Sequence, residues 1–465
     1  MKVTVLDVYR RRLARTSKDT NGGYGTVNDY GDGTISRLLT RLKAKSVDWP
    51  PLYSVYAAAV LQSNGHSVTF LRGSLDEIDP TTLSDCDLFL CTSSIVCHET
   101  EVRAIRMLRP HAPVGVMGPF ATSLPQPYVA AGAFVIAGEP ELFLMSHPSL
   151  EDLVRSSGVV ASSPTGITSP SSPKAGLRID GQLEKLPLPA WDAVIGTSKP
   201  RYGLLGGGEL FLPLIATRGC PYSCSYYCTY PLQQGKTVRL RAPAALVQEM
   251  GHWQDRLGAS LFMFRDPVFS LNRKHTLQFC DELIASGRNI KFIVETHLNN
   301  MDPELAQRLR QAGLVMVKTG IESANSEVMK SAGRFTIEQD KQLERIRFLE
   351  SLGVKVTCFY IFGLPQDTEE TCMQTVEYAK RINSFGAQFS VFTPYPGTPV
   401  FKDYEDRVAL DRYEDFTQWN LVFEHEHISA PRMRSILGTA YRDYYTNPKW
   451  IAKYLGYKLR SLLGR

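Results

Sequence analysis

The sequence predicts an α/β protein with a doubly wound parallel sheet over residues 1–148 and a partial (β/α)6 barrel over 201–401. A linker over 149–200 joins them, and a mainly helical region follows over 402–465. Three observations carry this. Apolar strand-like runs alternate with helical ones from the first residues, and the alternation stops in a Ser/Pro/Gly-rich stretch. It resumes at Leu210 through six strand–helix units. A chain of 465 residues is long enough for two or more cores.

In the first domain, KVTVLDV is a strand and PLYSVYAAAVLQSNG a helix that ends at Gly65. HSVTFLRG, DLFLCTSS and PVGVMG are strands, HETEVRAIRMLRP is the helix before the last of them, and AFVIAGEPE closes the series. An open α/β sheet binds its ligand at the carboxyl ends of its strands. Three such ends carry suitable groups: the hydroxyls of Thr92, Ser93 and Ser94, the turn of Gly118, Pro119 and Thr122, and the turn of Gly138 and Glu139. The segment DTNGGYGTVNDYGDGTISRL (19–38) interrupts the first crossover. Its glycines predict a flexible loop over that edge, where it could cover cofactor or substrate.

The linker SSGVVASSPTGITSPSSPKAG has no periodicity, and prolines extend LEKLPLPAWD toward the next domain. There LFLPLIATRG, SLFMFRDPVF, KFIVETHL, VMVKTGIES, KVTCFYIFGLP and AQFSVFTPYPGTP are strands separated by amphipathic helices. After Phe401 the pattern is helical and less regular, a composition that suits a cap on a substrate cavity. FEHEH (423–427) lacks zinc spacing and reads as a solvated turn. In WIAKYLGYKLRSLLGR, Ile451, Tyr454, Leu455, Leu459 and Leu462 share a helical face that packs on the barrel in preference to a membrane surface.

A formal charge of +5 with 21% charged residues does not call for a polyanion, so no nucleic acid is expected. The start passes from a strand straight into basic residues, unlike a secretory signal, and no apolar run spans a bilayer. The expected compartment is the cytoplasm, where thiols stay reduced. Cys86, Cys91, Cys97, Cys280, Cys358 and Cys372 are scattered in apolar surroundings and read as small buried hydrophobes.

The other three cysteines cluster. RGCPYSCSYYCTYP places Cys220, Cys224 and Cys228 on one loop after a barrel strand. Three thiolates can hold three irons of a [4Fe–4S] cluster and leave the fourth open. Structural zinc takes four ligands, usually in two pairs, and no second pair lies nearby.

This loop resembles the cluster motif C-x3-C-x2-C of the radical SAM superfamily, lengthened by one residue. The resemblance continues through RDPVF (265–269), TGIES (319–323), FYIFGLPQDTEET (359–371) and TPYPGTPVF (393–401), as in the B12-associated branch. It implies that Cys220, Cys224 and Cys228 ligate the cluster and that S-adenosyl-L-methionine (SAM) binds its open iron. Tyr227 takes the position beside the adenine, Asp266 and Glu322 make polar SAM contacts, and Gly320 and Gly363 allow close backbone approach. The extra residue gives the loop slack, expected as a bulge at Tyr226 or Tyr227.

The first domain is similar to the Rossmann-like cobalamin-binding domain of the same branch, on PLYSVYAAAVL (51–), CTSS (91–94), GPFAT (118–122) and GEPE (138–141). The resemblance makes Thr92, Ser93, Ser94, Gly118, Pro119, Thr122, Gly138 and Glu139 cobalamin contacts. No D-x-H-x-x-G is present, so no axial histidine comes from that motif. The implied function is a cobalamin-dependent radical SAM enzyme methylating a carbon of a small-molecule biosynthetic intermediate, with electrons from an external donor such as flavodoxin or ferredoxin. Non-methylating rearrangement, cyclisation or oxidation is the alternative, as is non-radical methyl transfer with the same cofactors. A cobalamin or SAM sensor without turnover is the weakest reading.

Overall fold

The computed structural model describes residues 1–9, 16–44, 51–78, 85–163, 166–168, 183–195, 201–202, 209–334, 337–408 and 413–462. Residues 169–182 of the Ser/Pro-rich linker lie outside the described residues.

The first domain is a seven-stranded sheet. Its strands are β1 (Lys2–Tyr9), β2 (Ser67–Ser74), β3 (Leu88–Thr92), β4 (Val114–Met117), β5 (Phe134–Ile136), β6 (Val159–Ser163) and β7 (Gly166–Thr168). The order is β2-β1-β3-β4-β5-β6-β7, parallel throughout except for β7. The order reverses at β1/β3, which is the switch point where such sheets bind ligands. Buried-through runs such as LFLCT in β3 are what a sheet covered on both faces requires. One expectation is corrected here: residues 159–163, read as linker, pair with β5 and extend the sheet. The run VVASS is apolar enough at Val160 and Ala161 to be buried, and this outweighs the surrounding turn formers.

The helices are α1 (Thr34–Ala44), α2 (Leu52–Ser63) and α3 (His98–Leu108). Nearly all of α2 is buried, as its alanines and lack of charge require.

The second sheet runs β8 (Arg201–Tyr202), β9 (Glu209–Leu214), β10 (Leu261–Phe264), β11 (Lys291–Glu295), β12 (Leu314–Glu322), β13 (Lys355–Phe362) and β14 (Gly386–Val391). Strands β9 to β14 are parallel and lie in chain order, an open barrel of six strands. Its outer helices are α4 (Pro243–Leu257), α5 (Arg273–Ala285), α6 (Pro303–Gln311), α7 (Gln339–Ser351) and α8 (Glu369–Ile382). Alternation decides what faces where. Val356, Cys358, Tyr360 and Phe362 of β13 are buried under the helices, while Phe359 and Ile361 face the barrel interior.

Of the C-terminal helices, α9 (Ala430–Tyr445) packs on β14, and α10 (Pro448–Leu462) packs on α9 and on Phe385 just before that strand. The expected common face of α10 is split. Tyr454 stacks on Trp450, whereas Ile451, Leu455 and Leu459 are 41%, 54% and 60% exposed. The large rings anchor the helix, and one helical face cannot serve both sides. Leu462's side chain lies outside the described residues. Among the described residues no helix is long and apolar enough to cross a membrane.

The segment from Thr16 to Gly33 differs most from expectation. It forms a short antiparallel ribbon, Thr16–Ser17 with Thr26–Val27, around a tight turn at Asn21–Gly23. Tyr24 is fully buried, edge-on to Phe120 and Tyr395. Its glycines allow close approach: a Cβ on Gly23 would lie 2.7 Å from the Pro119 ring, and one on Gly22 would lie 2.9 Å from the Thr229 backbone.

Candidate active site

The cysteine loop leaves β9 through Thr217–Arg218, which pairs with Arg239–Leu240. Gly219 makes the sharp exit with φ +91°, and a Cβ there would sit 2.0 Å from the Thr237 carbonyl oxygen. The Gly219 amide donates to Gln234, and the Cys220 amide to the Gly235 carbonyl at 3.1 Å. Gly219→Ala combines that clash with a left-handed backbone that costs an L-residue about 1–2 kcal/mol. Iron incorporation on reconstitution is therefore expected to drop at least severalfold, measured by iron and sulfide assay.

The extra residue is absorbed in an unexpected way. Ser223–Tyr226 is a helical turn, and the Cys228 amide donates to the Cys224 carbonyl at 2.9 Å. An i, i+4 spacing puts both cysteines on one face of a single turn. The added tyrosine thus completes a turn, in place of the expected bulge. Tyr226 points outward to Asp403, and Tyr227 points inward, edge-on to Phe392.

All three cysteines line a chamber of 340 Å³ at the strand C-termini. Cys224 and Cys228 share a hydrogen bond that lowers the pKa of the first and raises that of the second. Burial opposes the lowering at Cys224 and the Arg334 guanidinium assists it. Metal ligation needs thiolates, and this setting supplies positive charge for one. Among the described residues no three His, Cys, Asp or Glu side chains close on a single ion. A cubane asks something else, one thiolate at each of three irons. The cysteine turn fits that demand.

Opposite the cysteines, Glu322 and Arg334 pair at 2.5 Å. Glu322 holds φ +67°, a strained conformation for a residue with a Cβ, beside a register shift in β12. The strain turns its carboxylate back across Gly320, where a Cβ would be 2.1 Å from Oε1. Gly320 therefore clears room for the ion pair. Arg334 was not singled out from sequence. Its signal is a basic residue following the short helix that begins just after the strand-end glutamate. The pair is almost wholly buried, and burial raises Glu322's pKa against the guanidinium. His297, at the same wall, is pushed down to about 4 by burial and by Arg334, so its ring is neutral.

Two expected SAM contacts lie elsewhere. Asp266 is fully buried and accepts from the backbone amides of Ala216 (3.2 Å) and Thr217. The strand-end aspartate satisfies orphan donors at the root of the cysteine loop and does not line the chamber. Gly363 has φ +74°, but its open side meets Met433 of α9 at 3.0 Å, so the close approach it permits is to the C-terminal region.

The eight expected cobalamin residues do line the carboxyl ends of three adjacent strands, β3, β4 and β5, but in contact with the protein itself. Thr92 donates to Leu6 and Asp7, and Ser93 accepts from the Ala121 amide. Ser94 donates to Glu101 and accepts from the Cys97 amide. Thr122 accepts from the Gly138 amide, and a Cβ on Gly118 would meet the Tyr53 hydroxyl at 2.5 Å. Pro119 carries Gly23, and Glu139 pairs with Arg218 (3.0 Å) and Arg239. The void beside Tyr53, Pro119, Gly138 and Glu139 is about 30 Å³, room for one or two waters. Strand-end hydroxyls and glycine turns are the right donor chemistry for a polar cofactor edge. With Thr16–Gly33 in place, the volume for a corrin is taken.

A family model described as the radical SAM superfamily matches residues 214–379. The chain carries a radical SAM domain. That domain implies a [4Fe–4S] cluster and SAM, and the cysteine turn is where they fit. Beyond it, the chain is 24% identical over 273 residues to an uncharacterized methyltransferase from Pyrococcus horikoshii, covering 58% of each. It is 23% identical over 430 residues to an anaerobic magnesium-protoporphyrin IX monomethyl ester cyclase from Rubrivivax gelatinosus, covering 87% of this chain and 75% of that one. The chain spans about half the length of most curated relatives it matches. Among solved structures, the radical SAM methyltransferase TsrM from Kitasatospora setae, with cobalamin and a [4Fe–4S] cluster bound, superposes with a TM-score of 0.62. The two are 16% identical, over 96% of this chain and 85% of that one. This likeness extends beyond residues 214–379 to the sheet in front of them, so the two-domain fold is shared with that structure.

Proposed function

We propose that this protein is a cobalamin-dependent radical SAM enzyme that methylates a carbon of a small-molecule biosynthetic intermediate. The observation that carries the reading is the three-cysteine turn opening on a chamber at the barrel strand ends, joined to a second α/β domain. When bound, the cluster supplies one electron to SAM for C–S cleavage, and cobalamin supplies a carrier for the methyl group.

The chain's own residues bind, orient and exclude water. Cys220, Cys224 and Cys228 are the ligands, and Glu322 with Arg334 offers complementary charges to the amino and carboxylate groups of SAM. Tyr227 and Phe392 supply an aromatic wall for an adenine. Arg265, Glu295 and Lys318 supply ionisable groups to the chamber wall for a substrate, and Trp419 from the C-terminal region and Thr20 also line it. Burial raises the pKa of Glu295 against the pull of Arg265 and Lys318, and the polar side chains of the chamber wall suit a polar substrate. The working compartment of this reading is the reducing cytoplasm, with an electron donor of the flavodoxin or ferredoxin class.

A second reading, non-methylating ring closure or oxidation, is favoured by the cyclase-named relative matched over 430 residues. Both readings are tested with the reconstituted protein, reductant and SAM labelled in its methyl group. Substrate-dependent 5′-deoxyadenosine with label in the product is the expected result. 5′-Deoxyadenosine without label transfer supports the second reading, and neither product overturns both.

A further inference from the structure

The crevice at the β1/β3 switch point is occupied by the chain itself. Lys18 enters it and is 2% exposed. Its ammonium lies 2.7 Å from Glu101 and 3.4 Å from Asp7, and donates to the Thr92 carbonyl at 3.0 Å. Those partners belong to α3, β1 and β3, so one side chain bridges both strands of the switch point. Glu101 is otherwise satisfied by the Ser94 amide and hydroxyl and by the Tyr128 hydroxyl at 2.7 Å. The rest of the segment is pinned as firmly. The Ile95 amide donates to the Tyr24 carbonyl at 2.8 Å, and the Tyr24 hydroxyl donates to the Pro396 carbonyl. Thr229, one residue past the last cysteine, donates to the Asn21 carbonyl at 2.7 Å.

This strap therefore lies between the cysteine turn and the edge of the first sheet, the place a corrin must take to face both. On the side of the first sheet, the void that remains beside Tyr53, Pro119, Gly138 and Glu139 is about 30 Å³, far below a corrin's volume. Two bodies cannot share this space. We propose that residues 16–31 are a built-in occupant of the cobalamin crevice, so that strap and cobalamin exclude one another and the cofactor enters only when the strap leaves. The inference rests on the cobalamin half of the proposed function.

Mutual exclusion has a quantitative signature. If the crevice is open only a fraction of the time, apparent affinity falls by that fraction, and loosening the strap restores it. Tyr24→Ala removes the anchoring ring without leaving a buried charge. Lys18→Met combined with Glu101→Gln removes the latch as a balanced pair. With cluster-loaded protein titrated with hydroxocobalamin and read by absorbance, each variant is expected to bind at least tenfold more tightly than the parent chain. Hydrogen exchange supplies a readout independent of any variant: amides of 16–31 in the parent chain are expected to lose protection when cobalamin binds. Equal affinities with the strap amides still protected overturn the proposal. Absence of binding in parent and variants alike overturns it together with cobalamin dependence. Iron and sulfide content in the same samples then shows whether the SAM half of the reading stands by itself.

Discussion

Cys224→Ala is expected to fold, to retain its secondary structure, and to carry iron and sulfide near background after anaerobic reconstitution. Formation of 5′-deoxyadenosine from SAM should fall on the order of a thousandfold or more, since the chemistry belongs to the cofactor and the protein contributes position. The fold should survive because the turn is held by other means. The Cys228 amide bonds to the backbone of residue 224, and Asp266 holds the loop root from below. Cys224 is the ligand with most at stake. It shares its hydrogen bond with Cys228 and lies within the influence of Arg334, so its loss removes the thiol best placed to ionise. Circular dichroism together with metal content decides the matter. A variant that keeps a full cluster excludes Cys224 as a ligand.

The second large effect concerns stability. Arg218→Met should destabilise the protein by about 3–5 kcal/mol, the usual cost of leaving a buried charge unpaired. Arg218, two residues before the first cysteine, is 3% exposed and pairs with Glu139 at 3.0 Å and with Glu141 across the domain boundary. Its removal leaves two buried carboxylates, of which Glu139 keeps Arg239 and Glu141 keeps no ion-pair partner among the described residues. Lysine should not rescue it, because a single ammonium does not span both carboxylates as the guanidinium fork does. Arg218→Met with Glu139→Gln and Glu141→Gln should recover much of the loss.

The deficit should also depend on pH. Burial already raises the pKa of Glu141 against the pull of Arg218. Without the arginine that pKa rises further above its unfolded value. A carboxyl of that kind favours the folded state when protonated and loses that contribution as pH rises through and above its unfolded pKa. The penalty should be smallest at acidic pH and grow as pH rises, as read from denaturant midpoints at several pH values.

Not every part of the site was equally legible in the sequence. The cysteine triplet was, because ligands close in sequence share one loop whatever surrounds them. Glu322 was too, at the end of an unmistakable strand. Asp266 was not: its position at a strand end was right, but its carboxylate turned to backbone amides of the neighbouring strand end. Gly363 needs its positive φ, yet the neighbour it admits is Met433, far along the chain. Asp7 held a usable clue, an acidic residue inside an otherwise apolar strand, which has to find a buried partner. Nothing in the sequence says that the partner is Lys18.

By itself the sequence determined the two α/β domains, the six-unit open barrel and the cysteine turn. Each depends on periodicity or on spacing along a short stretch, which local geometry translates directly into structure. Only the tertiary structure decided the rest. It showed that the extra tyrosine completes a helical turn, that Arg334 completes the cysteine site, and that residues 16–31 fill the crevice where the fold leads one to expect a cofactor. Those outcomes depend on which side chains from distant segments meet in one volume. A volume has a single occupant, and pattern along the chain carries no record of which segment takes it.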